Sequence, residues 1–494
     1  MPLLNIPPEI SSVASTLESA GYEAYLVGGC TRDLLEGKTP KDWDFTTNAT
    51  PAEIIELFPH TFYENDFGTV GVVNETIPEN DTERATLRIV EITPYRTEST
   101  YSDFRRPDSV QFSKSLYEDL QRRDFTMNAI AYNVVRDELI DPYDGVSDIK
   151  KRTIRAVGDP HLRFTEDALR VMRAVRFVAQ LDFTIEEKTL EAVISHAPLV
   201  EKIAMERVRD EFSKMLMSAK PMEGILVLHR VGLLTYVCPE LIEGLGCEQK
   251  GIHIYDVWEH NLRALQHAAD RSWPLHVRLG SLLHDVGKPA SRRWSEEKKT
   301  WTFYGHEVIG AKMAKKILER LRYSREIIFK STQLVRYHMF FSDIETITLS
   351  AVRRIVANVG PELVWDLMNV RACDRIGTGR PMETPYRLRK YHSMIEEAMR
   401  APVSVKMLKI DGAKIMETID EPAGPRIGAI LNALFDEVLE DPERNTTEWL
   451  ERTAKEFAML PQEVLLAKGE EGKRTRASEE EKEVKEIRNK YRVK

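Results

Sequence analysis

The residues best suited to chemistry fall into two groups. Near the amino end, the run LVGGCTRDLLEGKTPKDWDF places Gly28 and Gly29 at the end of a strand-like stretch, then Arg32 and Asp33, then Asp42 and Asp44. Residues two apart on a strand point to one face, so these carboxylates can share a divalent cation. Nucleotidyl transfer needs that arrangement, because Mg2+ neutralises a triphosphate, lowers the pKa of the attacking hydroxyl and steadies the leaving pyrophosphate. Backbone N–H groups of paired glycines can donate to the phosphates. Glu91, inside the apolar run TLRIVEITPY, is a third acid whose unpaired burial would be costly and which a metal-linked role would relieve.

The second group lies between residues 257 and 374: His260, the adjacent His284 and Asp285, His306, His338 and Asp374. Imidazole and carboxylate together suit transition metals or Mn2+. Between the groups, RRDFTMNA (122–129) offers arginine donors for phosphate and Asp124 and Asn128 as acceptors for a ribose hydroxyl. The same run also reads as a helix start with Asp124 as its cap. Asp167 and Arg170 are three apart and are expected to be neighbours on one helix, either as an ordinary ion pair or as an acceptor beside a forked donor. An Asp carboxylate there would accept from the exocyclic amine of cytosine or adenine and repel the carbonyl of guanine or uracil.

The elements that must hold these residues change character along the chain. Strand-like runs at 24–29, 67–73, 86–95 and 127–135, separated by turn signals, predict a compact mixed α/β unit. From about Phe164, Ala168, Val171, Met172, Val175, Val178 and Ala179 recur at helical spacing, and nearly everything beyond is expected to be helical. The chain has 494 residues, 42% hydrophobic and 30% charged, which fits several globular domains. A formal net charge of −9 excludes a global basic field, so any polyanion site must be a local patch. One such patch is 150–176, with eight Lys or Arg against three Asp or Glu. The four cysteines form no C-x-x-C pair, which fits a reducing compartment. No apolar run is long enough to span a bilayer, and a cytoplasmic protein without membrane contact is expected. The last 27 residues hold ten Lys or Arg and seven Glu, and a solvated or frayed helix is expected there.

Taken in order, G-G-x-x-R-D, D-x-D, RRDFTMNA, DPYDG (141–145) and EDALR (166–170) resemble the class II tRNA nucleotidyltransferase and bacterial poly(A) polymerase family over residues 20–240. The resemblance implies that Asp42 and Asp44 are the metal-binding catalytic acids with Glu91 in support. It also implies that Gly28, Gly29, Arg32, Arg123, Asp124, Asn128, Asp167, Arg170 and Arg173 bind the nucleotide. Mg2+ in the head, CTP and ATP as substrates and tRNA as partner follow, as does template-independent addition of CCA to tRNA 3′ ends. Addition of the terminal A alone, polyadenylation, and an RNA- or nucleotide-binding regulator with an inactive head are the alternatives. Residues 98–107 match in position a flexible loop that the family associates with adding the terminal A.

SLLHDVGKPA (281–290), GHEVIGAKMA (305–314) and RACDRIG (371–377) resemble the HD metal-dependent phosphohydrolase superfamily. That likeness implies a core metal site of His260, His284, Asp285 and Asp374, a second position completed by His306 and His338, and Lys288 facing a phosphate. The metal would be Mn2+, Ni2+, Mg2+ or Fe2+, and the reaction hydrolysis of a phosphoester such as a 2′,3′-cyclic phosphate on damaged RNA. Residues 408–416 and 423–439 resemble the C-terminal RNA-binding element of such proteins, with Gly424, Pro425 and Gly428 opening a helix. The expected architecture is α+β: a small mixed nucleotidyltransferase α/β head (1–145), an all-helical neck that selects nucleotides and contacts RNA (146–245), an HD body (246–380), a helical tRNA-binding tail (381–467) and a charged extension (468–494).

Overall fold

Helix α1 (Pro8–Ser19) buries Ile10, Val13, Ala14 and Leu17 at helical spacing, in one cluster with Leu26, Phe45 and Ile92 of a sheet. The computed structural model describes residues 4–63, 68–98, 110–249, 254–339, 347–400, 405 and 408–493. The sheet begins with β1 (Tyr25–Val27), α2 (Gly29–Leu35) and β2 (Trp43–Thr47). Helix α3 (Pro51–Leu57) starts at a reciprocal cap between Thr50 and Glu53, with Pro51 at its first position. Strands β3 (Thr61–Tyr63), β4 (Val70–Val73) and β5 (Ile89–Pro94) follow, then a separate ribbon of β6 (Arg96–Glu98) and β7 (Val110–Phe112). Helix α4 (Leu116–Gln121) leads to β8 (Ala131–Asn133) and β9 (Glu138–Ile140). The strand order is β3-β4-β5-β2-β1-β8-β9, with β2 and β5 parallel and every other pair antiparallel. The expected mixed head is thus present, and the 98–107 segment lies almost wholly outside the described residues.

The neck runs through α5 (Gly145–Lys151), β10 (Thr153–Ile154), α6 (Pro160–Glu166), α7 (Leu169–Leu181), β11 (Thr184–Ile185), α8 (Glu187–His196), α9 (Met205–Leu216), α10 (Pro221–Arg230) and α11 (Leu234–Val237). After it come α12 (Val257–Asp270), α13 (Leu275–Leu283), α14 (Lys288–Ser291), a hairpin of β12 (Arg293–Ser295) and β13 (Thr300–Thr302), α15 (His306–Arg320) and α16 (Arg325–Tyr337). One apolar core runs from Phe125 and Phe164 through Phe212 and Leu228 to Leu282 and Val335. Arg278 ties these parts together: its guanidinium donates to the carbonyls of Leu216, the last residue of α9, and Ser218 just beyond it. Beyond Phe164 nearly everything described is helical, as expected; the exceptions are β11, which pairs with β10 ahead of Phe164, and the β12–β13 hairpin, since two- and three-residue strands carry too short a pattern to be read.

The chain divides into two compact units, 1–338 with 369–381, and 339–368 with 382–494. The second unit holds α17 (Leu349–Val359), the first part of α18 (Val364–Gly377), α19 (Tyr386–Met399), α20 (Gly412–Ile419), α21 (Pro425–Glu440), α22 (Thr447–Ala458) and α23 (Gln462–Lys490). Gly424 and Pro425 open α21 as expected. The charged end forms the expected, largely exposed helix, but 468 falls inside α23, one face of which packs along α21. The reason is the GEEG step. A Cβ on Gly469 would lie 2.7 Å from the Ala429 Cα, and one on Gly472 would meet the Asn432 carbonyl, so two missing side chains let the backbones touch. Gly472→Ala is therefore expected to cost about 1–3 kcal/mol of local stability, read as lost hydrogen-exchange protection in both helices of the intact chain.

Candidate active site and metal centre

Asp44 lies on β2 in register with Glu91 on the parallel neighbour β5, so both side chains leave the same face of the sheet. Asp42, exposed, sits just before the strand. Burial pushes the Asp44 carboxyl up to about 6, opposed by the Arg123 guanidinium and reinforced by the Asp42 charge. A buried acid whose ionisation burial and a neighbouring carboxylate both disfavour forms, with that neighbour, a donor set that a divalent cation relieves. Gly28 closes this corner. Its φ of 75° suits glycine, and a Cβ there would lie 3.3 Å from Arg123 Nη1 and 3.7 Å from Asp44 Oδ2, so any side chain would crowd the approach to the acids.

From this corner a polar network leads into the neck. Arg32 Nη1 donates to Asn128 Oδ1 at 2.9 Å, Asn128 Nδ2 donates to Asp124 Oδ1 at 3.1 Å, and Arg173 Nε on α7 donates to Asp124 Oδ2 at 2.7 Å. Asp124 also accepts from the N–H of Phe125. Burial alone would raise the Asp124 carboxyl, but Arg173 and Asn128 outweigh it and hold it down to about 2. A carboxyl lowered from 3.8 contributes about 2 kcal/mol of stability, fully present above about pH 4 and lost as the pH falls through about 2. Denaturant unfolding should therefore show wild type more stable than Asp124→Asn at pH 7, with the gap closing between pH 4 and pH 2. Asp119, fully buried on α4, is a residue the sequence reading missed; it pairs with Arg122 at 2.6 Å and Arg123 at 3.2 Å. Its signal was the DLQRRD spacing, which sets one acid three and four residues before two arginines.

The expected Asp167–Arg170 neighbour pair on one helix is corrected. Asp167 has extended backbone, φ −138° and ψ 102°, in the break between α6 and α7. Its Oδ1 accepts from the Leu169 N–H and its Oδ2 pairs with Arg207 at 2.9 Å. Arg170, buried on α7, pairs with Glu166 at 2.7 Å and donates to the carbonyls of Arg163 and Arg122. The i, i+3 argument assumed a continuous helix, and the chain turns between the two residues.

The histidines converge. Among the described residues, His260, His284 and Asp285 form one group, and Asp285, His306 and His338 another, with ligand atoms all within 4.8 Å inside each group. Asp285 belongs to both: its Oδ2 lies 3.2 Å from His260 Nε2 and 3.3 Å from His284 Nε2, its Oδ1 3.2 Å from His306 Nε2 and 3.6 Å from His338 Nε2. Asp374, carried by α18, adds Oδ1 at 3.3 Å from His260 and is paired on its other oxygen with Arg371. Lys288 reaches Asp285 Oδ2 and Gln249 Oε1, each at 2.5 Å.

The tautomers fit a cation. Nδ1 of His284, His306 and His338 each lies 2.7 Å from the carbonyl three residues earlier, Ser281, Phe303 and Val335. An Nδ1–H donated to a carbonyl leaves the Nε2 lone pair as the ligand. Yet His260 and His284 bring their Nε2 atoms to 2.9 Å, and His306 and His338 theirs to 3.2 Å. Facing lone pairs at such distances call for a proton or a metal ion between them. Burial opposes charge on His284, but Asp285 and Asp374 prevail and raise it to about 9, while burial lowers His338 to about 4.

A glycine turn beside paired acids on a mixed sheet, joined to a helical body with a buried His/Asp centre, defines a nucleotidyltransferase-type head carrying an HD domain. Residues 24–155 match the family described as the poly A polymerase head domain, 182–245 the probable RNA and SrmB-binding site of polymerase A, and 257–376 the HD domain. These three segments are thus similar to the head, RNA-binding and HD domains found in tRNA nucleotidyltransferases and poly(A) polymerases. It is 47% identical over 247 residues to the CCA-adding enzyme of Levilactobacillus brevis, a stretch covering 49% of this chain and 59% of that protein. To the CCA-adding enzyme of Enterococcus faecalis it is 46% identical over 247 residues, 49% of this chain and 58% of that one. The chain thus spans less than two thirds of the length of these relatives. The crystal structure of the Bacillus stearothermophilus CCA-adding enzyme in complex with CTP superposes with a TM-score of 0.59 at 26% identity, covering 91% of this chain and 98% of that one. No helix among the described residues is long and apolar enough to cross a membrane.

Proposed function

We propose that this chain adds CCA to tRNA 3′ ends from CTP and ATP in the cytoplasm, and that its HD domain hydrolyses phosphoesters. The observation that carries the first reading is the corner itself: Asp42 and Asp44 beside Gly28 and Arg123, joined by Asn128 and Asp124 to Arg173 on the neck helix. Asp42, Asp44 and Glu91 would hold Mg2+, which supplies charge neutralisation and lowers the pKa of the attacking hydroxyl. Gly28 and Gly29 admit the triphosphate, and Arg123 balances its charge. Arg32, Asn128 and Asp124 present the ribose-facing edge. For Asp167 and Arg170 to read a base, Asp167 exchanges Arg207, and Arg170 exchanges Glu166, for the base edge. The names of the matched relatives favour CCA addition over A addition or polyadenylation.

In the HD domain, His260, His284, Asp285 and Asp374 would hold one divalent ion and Asp285, His306 and His338 a second, Mn2+, Ni2+, Mg2+ or Fe2+ by donor type. Lys288 meets the phosphate. Hydrolysis of a 2′,3′-cyclic phosphate adds water across one P–O bond, the freed ribose oxygen taking a proton and a monoester remaining.

The deciding experiment supplies tRNA ending before CCA, tRNA ending in CC, or unrelated RNA, with CTP and ATP separately and together. Addition of three nucleotides followed by arrest is expected. A growing A tract, or activity on the CC end alone, would overturn the reading.

A further inference from the structure

The β12–β13 hairpin joins two parts of the HD centre, starting five residues after Lys288 and ending just before Phe303, whose carbonyl orients His306. Its sequence, RRWSEEKKTWTFYGH, is dense in rings and cations. Trp294 and Trp301 are cross-strand partners, their rings edge to face at 5.2 Å. Trp294 is 41% exposed and Tyr304 74% exposed, an unusual amount of aromatic surface left in water beside a polar centre. Arg292 sits over the Trp301 ring, its guanidinium carbon 4.0 Å from the centroid, and its buried Nε has no hydrogen-bond partner. Arg292 directly follows the short helix α14 that begins at Lys288, the lysine paired with Asp285.

A folding role accounts for the Trp–Trp pair but not for rings left exposed in the segment that links Lys288 to His306. Rings stack nucleobases regardless of sequence, and a guanidinium already braced on a ring keeps its fork for phosphate. We propose that this hairpin is the platform on which an RNA 3′ end lies when it enters the HD centre. Trp294 and Tyr304 stack the terminal bases and Arg292 holds the adjoining phosphate. The HD substrate is then a nucleic-acid end rather than a small phosphoester. This rests on the phosphohydrolase reading above and deepens it.

The test uses the full chain with Mn2+ and compares kcat/KM for a short oligoribonucleotide ending in a 2′,3′-cyclic phosphate with kcat/KM for bis-p-nitrophenyl phosphate. Trp294→Ala and Arg292→Gln are each expected to lower the ratio of the two at least ~10-fold, chiefly through KM for RNA, with Trp294→Phe restoring it. In parallel, the oligoribonucleotide carrying 5-iodouracil at its last base is irradiated with the wild-type chain, and the crosslink is expected on Trp294 or Tyr304. An unchanged ratio, or equal losses on both substrates, overturns the proposal and leaves the hairpin a positioning device for His306. Should the wild type hydrolyse neither substrate, the phosphohydrolase reading fails by itself. The crosslink then decides the platform: its presence on the hairpin sustains it and its absence overturns it.

Discussion

Alanine at Asp44 is expected to cut incorporation of labelled CTP into tRNA ending before CCA by at least ~10^3-fold, with tRNA affinity changed less than about threefold. The asymmetry follows from position. Asp44 is fixed by strand register beside Glu91 and feels the charges of both Asp42 and Arg123, so on the proposed reading metal and triphosphate would meet the protein charges there. RNA affinity, by contrast, comes mainly from many phosphate contacts spread over basic surface. Misfolding is an unsuitable alternative explanation, because a carboxyl whose ionisation burial opposes is a burden on the metal-free fold; removing it should leave the thermal midpoint unchanged or raised. Asp44→Asn sharpens the test by keeping shape and discarding charge. Should either variant retain a tenth or more of wild-type incorporation, the catalytic assignment of Asp44 falls, whatever Asp42 does.

How far the sequence could be read depended on whether a residue's role was local. Asp44 was picked out by its two-residue spacing from Asp42 behind paired glycines, and Glu91 because an acid in an apolar strand-like run is costly; strand pairing sets Asp44 and Glu91 in register. The six HD residues were found because the chemistry of donor types outlives any uncertainty in the helices that bear them. Only the fold shows that Asp285 divides its two oxygens between two groups, since that depends on where the distant His306 and His338 arrive. Asp167 and Arg170 misled because helical spacing is silent about a one-residue break. The neighbours that engage them, Arg207 and Glu166, include one from 40 positions away. Gly469 and Gly472 were read as part of a charged solvated stretch, yet they face a helix that no local pattern announces. The β12–β13 hairpin was lost for a related reason: its strands are three residues long, and its alternation of Trp and polar residues is too brief to outweigh the helices around it.

Asn at Asp285 is expected to remove both metal equivalents from the HD centre together with its phosphoesterase activity, a loss of ~10^3-fold or more, while CTP incorporation by the head stays within about twofold of wild type. His338→Ala should instead remove one equivalent. The difference arises from the division of the carboxylate: Oδ2 faces His260 and His284, Oδ1 faces His306 and His338, so Asp285 would serve two ions and each histidine one. Asn keeps the volume but replaces one acceptor oxygen with an N–H2 group that cannot bind a cation. It also removes the charge that Lys288 approaches at 2.5 Å and that keeps His284 raised. Metal content by mass spectrometry after dialysis, read against released phosphate, checks both halves. If Asp285→Asn lost only one equivalent, the two groups would not share this carboxylate, and the bridging role drawn from its two oxygens would have to be given up. If it lost both and still hydrolysed phosphoesters at the wild-type rate, the chemistry would belong elsewhere in the chain.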